Sequence, residues 1–372
     1  RAWIYLNATL AYGPMYDPNG SNDTKVLPYR SSGDPTQPNG PLLTTAELFD
    51  KIKEDLDYAC ENCPQTVTNP CRANKAAAYA LRAEYYMYKR DWPNMLSDSQ
   101  KAWELALQNK GSVDKLIYDL ADFSYFSTTP VEPAEGTSPE HYMNLKGPDA
   151  DIDQTTNREN LLYRKAPNGN SSSRFYPSSD WQSIFDKKTD LRWKLFALTS
   201  PGYEGKEGDV SFDDGNRISY ERSDRLSTTS ALTYPLLLLM KAEAESRSGK
   251  LSEALADLNT IRKFRYSGNN TDLPNGPSLS QEQLTFEILK ERRREQPIVS
   301  YQRTLDLKRY VFDTGQPWSK TIITHKCGNK TYSKSLKDAF YQSLPIDNVI
   351  LKYNPSWNIP ANNEPYEPYN AK

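Results

Sequence analysis

Residues 230–265 show the clearest helical pattern of apolar and polar positions in the chain. An apolar run begins at Tyr234, continues through helix-forming residues, and stops at Gly249, a residue type that commonly follows the end of a helix. Beyond this glycine, apolar residues recur every three or four positions, as expected for one face of a second helix: Leu251, Ala254, Leu255, Leu258 and Ile261. The segment therefore predicts two antiparallel helices joined by a tight turn.

The same pattern recurs in residues 80–105. Aligning the two segments places Trp92 on Leu251, Met95 on Ala254 and Leu96 on Leu255, an offset of 159 positions (250 minus 91). Both segments are tetratricopeptide-like hairpins, but this separation is far longer than one repeat, so they are not a tandem array. A large insertion must lie between them, and insertions in repeat scaffolds commonly carry the function.

The other regular segments are helices with identifiable ends. Thr44 to Glu47 opens one helix, and Ser280 caps another with Gln283 three positions later. The first helix begins at Arg1 without an N-cap, so we expect a further N-terminal segment, with any targeting signal, before it. The predicted helices outside the hairpins are 1–12, about 44–58, about 280–295 and 301–312. Residues 111–229 are rich in turns and short periodic pieces, and the chain from about 314 is loop-like and ends in a Pro- and Asn-rich tail.

Charge argues against a nucleic-acid partner. The net charge is −2, with 46 basic and 48 acidic residues. The one basic run, Glu291 to Glu295, is bracketed by acids on a predicted helix, and we expect it to form a solvated helix face. No apolar stretch approaches the roughly 20 residues needed to span a membrane.

Aromatic residues make up 12% of the chain, and 25 of them are Tyr. Tyrosine offers a large contact area with a polar tip, which suits sugars and peptides, although it also packs loops onto helices. The four cysteines allow three alternatives: a zinc site, for which all four or a His such as His325 would have to converge, one or two disulfides, or free thiols. They are Cys60, Cys63, Cys71 and Cys327.

Several segments, in order, resemble the SusD/RagB family of outer-membrane nutrient-binding lipoproteins of Bacteroidetes. RAWIYLNATLAYGPMY resembles the family's helix ending in Tyr-Gly-x-Pro, and YPLLLLMKAEAESRSGKLSEALADLNTIR resembles its Arg-Ala-Glu-Ala and Leu-Asn-x-Ile-Arg hairpin. LKERRREQ followed by DLKRY resembles its Glu-Arg-Arg-x-Glu and Asp-Leu-x-Arg, and LPIDNVILKYNPSW its closing segment. The match spans nearly the whole chain, while the family's first helices would precede Arg1.

The resemblance implies a mainly α fold, in which tetratricopeptide-like helical hairpins form a SusD-like scaffold. As a single SusD-like domain over 1–372, the chain would comprise scaffold hairpins at about 44–109 and 230–313, a loop-rich ligand-side insertion at about 111–229, and a wrapping tail at about 314–372. It also implies an outward-facing outer-membrane lipoprotein, held by an N-terminal lipid, that has no cofactor and no catalytic activity. Its partners would be a glycan, or alternatively a peptide, and a SusC-like TonB-dependent transporter.

Oligosaccharide binding needs aromatic faces to stack on sugar C–H surfaces and polar groups to bridge hydroxyls. Aromatic residues flanked by turns are the better platform candidates, whereas Trp181 shares its helical period with Ile184 and Phe185 and fits the core better. The predicted ligand-binding residues are Tyr125, Phe126, Tyr142, Tyr163, Arg174, Tyr176 and Trp181.

Two other functional classes remain as alternatives. A polysaccharide-degrading enzyme would need a pair of carboxylates in a cleft, and acidic pairs such as Asp213 and Asp214 occur in turns, where they are usually just solvated. His141 and His325 lack the sequence context of nucleophilic catalysis. A tetratricopeptide adaptor for protein tails would need an open groove, which the insertion and tail should cover.

Overall fold

The structure is a computed structural model of the 372-residue chain. It describes every residue except 128–142, 147–154, 164–176, 201–203, 208–209, 214–216, 221–231, 297–300, 328–329, 337–342 and 362–372. The described chain is mainly helical, as predicted, and its strands pair only as two-stranded antiparallel sheets.

The chain divides into two compact units. Unit 1 contains residues 1–62, 84–91 and 301–372, and unit 2 contains residues 63–83 and 92–300. The helix Lys75–Lys89 (α3) has residues in both units. The single domain over 1–372 stays a prediction.

Unit 1 is built around the first two helices. Helix α1 (Ala2–Tyr12) packs against α2 (Thr45–Asn62). The buried stripe of α2 is the one the sequence predicts, because Leu48, Ile52 and Leu56 recur on one face and are fully buried. Helix α2 ends at Asn62, four residues beyond the predicted end.

The C-terminal part of unit 1 is more regular than predicted. Helix α10 (Gln302–Tyr310) lies within the predicted 301–312 segment. The loop-like tail contains an antiparallel hairpin, β11 (Ile322–Cys327) with β12 (Lys330–Ser335), and the short helix α11 (Asn348–Tyr353). The expectation of a wholly irregular tail is therefore wrong for these segments. A short sheet of β1 (Lys25–Pro28) and β2 (Leu42–Thr44) also lies in the chain between α1 and α2.

Helix α7 (Tyr234–Arg247) is the centre of unit 2. It packs against α4 (Trp92–Lys110), α8 (Leu251–Lys263) and α9 (Gln281–Glu295), and its residues from Tyr234 to Met240 are all buried. Its first turn is capped by Thr233, whose side chain accepts a hydrogen bond from the backbone N–H of Leu236. Helix α9 has the predicted capping box of Ser280 and Gln283.

The two hairpins carry ion pairs at matching positions. A cation on the first helix pairs with a carboxylate on the second at the same position in each: Arg82 Nε with Asp98 at 2.6 Å, and Lys241 Nζ with Asp257 at 2.6 Å. The offset is again 159 (241 minus 82, and 257 minus 98). The alignment made from apolar positions therefore also aligns the ion pairs that join the two helices.

The insertion between the hairpins contains short strands and short helices. Its strands are β3 (Ser124–Ser127), β4 (Met143–Lys146), β5 (Asn160–Leu162), β6 (Ala197–Ser200), β7 (Glu204–Glu207), β8 (Val210–Asp213) and β9 (Arg217–Tyr220). Strand β5 pairs with β10 (Leu232–Thr233), directly before α7. The insertion also contains two short helices, α5 (Ser179–Gln182) and α6 (Leu191–Phe196).

Candidate ligand-binding site

The insertion has a hydrophobic core of its own. Its buried members are Tyr118, Leu120, Phe123, Trp181, Phe185 and Leu195. The rings of Trp181 and Phe185 lie 4.4 Å apart between centroids, and those of Tyr118 and Phe123 meet edge to face at 5.4 Å. Such pairs add to the stability gained from burial alone. We call this group the aromatic cluster.

Two capped helices hold the cluster together. The side chain of Ser178 accepts a hydrogen bond from the backbone N–H of Trp181 and so begins α5. The side chain of Asp190 accepts one from the backbone N–H of Arg192 and so begins α6. Both caps are sequence-local, so neighbouring residues decide where each helix begins.

Predicted platform residues follow the cluster directly in the chain. Phe123 is buried, and the next residue begins β3, which contains Tyr125 and Phe126. Strand β3 pairs in antiparallel register with β4, Tyr125 opposite Leu145 and Phe126 opposite Asn144. The structure describes these two strands by their backbone, so the roles of Tyr125 and Phe126 stay predictions.

The other predicted site residues fall into two groups. Tyr142, Arg174 and Tyr176 lie outside the described residues. Tyr163 and Trp181 are each only 6% exposed. Trp181 thus lies in the core, as the helical spacing of its apolar neighbours predicts, and little of its ring is exposed.

Tyr163 is attached to the loop that precedes α3. Its backbone N–H donates a 2.7 Å hydrogen bond to the carbonyl of Pro70, and burial raises the pKa of its phenol. It therefore presents little of its ring for stacking. Its ligand role also stays a prediction.

Trp193 is a candidate that the sequence analysis missed. It lies on α6, packs against the aromatic cluster with a 5.5 Å centroid distance to Phe185, and is only partly buried. The ammonium nitrogen of Lys187 lies 4.7 Å from its ring centroid. A partly buried indole keeps some ring area for stacking on a sugar, and the Lys187 ammonium that lies over the ring is a hydrogen-bond donor at the same place. The sequence does contain one local signal for this residue, because Asp190 is a typical N-cap residue and places Trp193 in the first turn of a helix.

The charged run of α9 is buried, which corrects the expectation of a solvated face. Glu291 is 0% exposed, Arg292 3%, Arg294 5% and Glu295 4%. Arg293 is the one residue of the run that is partly exposed, and it pairs with Asp180 of α5 at 2.7 Å. Buried charges require partners, and the insertion supplies them.

Arg192 of α6 is the first of these partners. Its guanidinium is 0% exposed, and it lies 2.7 Å from Glu295 and 2.6 Å from Glu291. It also makes two bonds to Asp190, at 2.9 and 2.7 Å. One fully buried cation thus bridges its own N-cap and two carboxylates of α9.

Arg265, just after α8, is the second fully buried cation. It donates to Glu295 at 2.8 Å, to Glu159 of the insertion at 2.7 Å, and to the backbone carbonyl of Tyr118 at 2.7 Å. Glu159 in turn accepts from the backbone N–H of Tyr118 at 3.0 Å. We call the ion pairs and hydrogen bonds that Arg192 and Arg265 make with these carboxylates the buried charge network.

The described residues give no sign of a metal site. No three or more His, Cys, Asp or Glu side chains among them come together in a way that could hold an ion. Cys63 and Cys71 carry free thiols, and burial raises the pKa of the Cys63 thiol. None of the described helices is long and apolar enough to cross a membrane.

Solved structures with the same fold share a mainly helical scaffold. They include a SusD-like carbohydrate-binding protein from Bacteroides vulgatus, with 16% identity over 95% of this chain and 74% of that one, and a TM-score of 0.53. A SusD superfamily protein from Bacteroides thetaiotaomicron has 19% identity over 95% and 74%, with a TM-score of 0.56. Surface glycan-binding protein A from Bacteroides uniformis has 16% identity over 96% and 75%, with a TM-score of 0.55.

The chain therefore has the fold of these SusD-like structures, and residues 234–370 match the family model described as the SusD family, SusD_RagB. This match covers a little over a third of the chain, and over that segment the chain is similar to the SusD/RagB family. No curated protein sequence matches it significantly.

Proposed function

We propose that this protein is a non-catalytic, cell-surface glycan-binding protein that passes oligosaccharide or polysaccharide to a SusC-like TonB-dependent transporter in the outer membrane. The observation that carries the glycan part is the aromatic cluster of the insertion, with the half-exposed Trp193 on it and Tyr125 and Phe126 next to it in the chain. The names of two solved structures of the same fold, a carbohydrate-binding protein and a surface glycan-binding protein, support the ligand class.

The ligand class is tested with a glycan array followed by calorimetry on variants. We expect binding to at least one oligosaccharide of the array, and loss of affinity on the order of 10-fold, or about 1.4 kcal/mol, in Tyr125→Ala and in Trp193→Ala. Tyr58→Ala is the matched control, because Tyr58 is 70% exposed and lies on α2, outside the insertion. Equal losses in all three variants would contradict an aromatic site in the insertion.

A peptide or glycoprotein-derived nutrient is the alternative ligand for the same site. It would be favoured if the array stayed empty while a random peptide library bound and Trp193→Ala removed that binding. Release of reducing sugar from any glycan that binds would contradict the non-catalytic proposal and favour a polysaccharide-degrading enzyme.

The transporter and the location need a separate experiment on the natural protein in its own cells. We expect external protease to digest it on intact cells, and an affinity-tagged copy to co-purify with a TonB-dependent transporter after mild detergent extraction. Protection from protease until the cells are broken would contradict an outward-facing location. Recovery without any outer-membrane transporter would contradict the delivery step.

A further inference from the structure

Three short backbone bonds join the insertion to the segment that follows α8. The N–H of Leu120 donates to the carbonyl of Phe264 at 3.1 Å, and that of Leu191 donates to Arg265 at 2.9 Å. The N–H of Ser267 donates to the carbonyl of Thr189 at 2.8 Å. These contacts hold two separate parts of the insertion, near 120 and near 190, along one scaffold segment.

Charged side chains of the scaffold and of the buried charge network contact the same parts of the insertion. Arg265 binds the backbone of Tyr118, a member of the aromatic cluster. Arg192 sits between Leu191 and Trp193 on α6, and its guanidinium carbon lies 5.9 Å from the ring of Phe185. Arg294 of α9 donates to the backbone carbonyl of Ile184. Each segment that contributes to the cluster is therefore bound by a buried charge.

The chemistry of the buried charge network favours a role in positioning the insertion on the helices. Burying several ions is costly, and apolar side chains of the same size often stabilise a core equally well or better. A guanidinium instead imposes direction, since its planar fork must meet carboxylates and carbonyls at fixed angles. Arg192 and Arg265 share Glu295 as a common acceptor, which links α6 and the end of α8 through one carboxylate.

We propose that Arg192, Arg265, Glu291 and Glu295 are positioning residues of the ligand site: they fix the aromatic cluster on the helical scaffold so that the ligand-binding face is preformed. This inference rests on the proposed function for its ligand and on the buried charge network for its mechanism. A preformed face avoids the cost of ordering side chains on binding. Affinity should then depend on residues that never touch the ligand.

The test compares Arg265→Lys with Arg82→Lys. The first keeps the charge but loses the fork that reaches Glu159, Glu295 and Tyr118 together. The second removes the same fork from the α3–α4 ion pair with Asp98, where Arg82 makes two bonds at 2.6 and 2.8 Å. Both variants therefore lose a buried or part-buried bidentate pair in unit 2.

Hydrogen exchange is the first readout, because it needs no ligand. In Arg265→Lys we expect the amides of 118–123 and 189–195 to exchange on the order of 10-fold faster, with those of α7 unchanged. In Arg82→Lys the insertion amides should keep the wild-type rates. Unchanged insertion exchange in Arg265→Lys would overturn the proposal.

Affinity for the tightest oligosaccharide of the array is the second readout. Arg265→Lys should bind on the order of 10-fold more weakly, and Arg82→Lys within about twofold of wild type, at similar shifts in melting temperature. Equal effects of the two variants would mean that the network only stabilises the fold. If the wild-type protein binds no glycan, the proposed function is wrong. The hydrogen-exchange experiment still decides whether the buried charge network orders the insertion.

Glu295→Gln is the second variant, because it removes one shared charge with almost no change of shape. It should reproduce the faster insertion exchange of Arg265→Lys. If neither variant folds, the network is a requirement for folding and the positioning proposal is rejected.

Discussion

Glu291 is a carboxylate that stays ionised with none of its surface in water. Burial alone would raise its pKa, but Arg192 and Arg294 beside it outweigh this effect and lower the pKa to about 2. The hydroxyl of Tyr266 also donates to it, at 3.2 Å. At the scale of single residues, the segment from Glu291 to Glu295 thus provides internal partners for the insertion.

The lowered pKa of Glu291 predicts that the free energy of unfolding falls as the solution becomes acidic. Because its folded pKa lies below the ordinary glutamate value of 4.5, the unfolded chain binds the proton first as pH falls. The contribution of Glu291 is therefore complete above about pH 4.5 and is lost as pH falls toward 2. Glu291→Gln should lower the free energy of unfolding at pH 7 by about 3 kcal/mol and flatten its decline in that window.

Urea denaturation at several pH values measures this effect. The difference in unfolding free energy between wild type and Glu291→Gln should shrink steadily between pH 4.5 and 2. Glu253→Gln, on the exposed face of α8, is the control and should leave the curve unchanged. A constant difference across the window would show that the Glu291 charge is not what the arginines stabilise.

At the scale of elements, each hairpin turn uses one residue with a left-handed backbone. Gly249 has φ 79° in the second hairpin, and Arg90, 159 positions earlier, has φ 61° in the first. In both turns the residue after the left-handed one donates its backbone N–H to a carbonyl near the end of the first helix. Lys250 donates to Glu245 at 2.9 Å, and Asp91 donates to Tyr86 at 3.0 Å.

Gly249→Ala should destabilise the protein by about 1 kcal/mol, since a Cβ disfavours this backbone conformation. Nothing lies within 4 Å of that Cβ position, so the loss would come from the backbone and not from a clash. Thermal unfolding of Gly249→Ala and Gly249→Asn checks this, because Asn tolerates the conformation better and should lose less. Gly40→Ala, also in open space but without a positive φ, is the control.

Helices were predictable where their signals are local. The capping box of Ser280 and Gln283 and the stop at Gly249 need only neighbouring residues, and both are in the structure. The β11–β12 hairpin was missed because its residues are polar on both faces; Thr324 and Ser333, for example, are exposed and bond to each other. Without an apolar face, a strand has no alternation for the sequence to show.

The candidate site was less predictable, because its order depends on distant partners. Arg192 and Glu295 are 103 positions apart, and Arg265 and Glu159 are 106 apart. From sequence alone, the segment from Glu291 to Glu295 resembles the solvent-exposed face of a helix on which acidic and basic side chains pair with each other. Trp181 was predictable as core from its helical period, whereas Trp193 is visible as a candidate only once its partial exposure and the nearby Lys187 are known.

At the scale of the whole molecule, the positive and negative charges are nearly balanced, with 46 basic and 48 acidic residues. Many of the cations are also neutralised internally, as Arg192 and Arg265 are by the carboxylates of unit 2. Neither the overall charge nor the buried cations can therefore provide a strong long-range attraction for a charged ligand.

Glycan binding should consequently depend little on ionic strength. Stacking on Trp193 or Tyr125 and hydrogen bonds to hydroxyls are short-range, and salt screens only interactions between charges. Calorimetry with the tightest oligosaccharide of the array, in about 50 mM and about 500 mM NaCl, should give dissociation constants within about threefold of each other. Weakening by tenfold or more would instead indicate a polyanionic ligand held by cations such as Lys187, and Lys187→Gln should then remove the salt dependence.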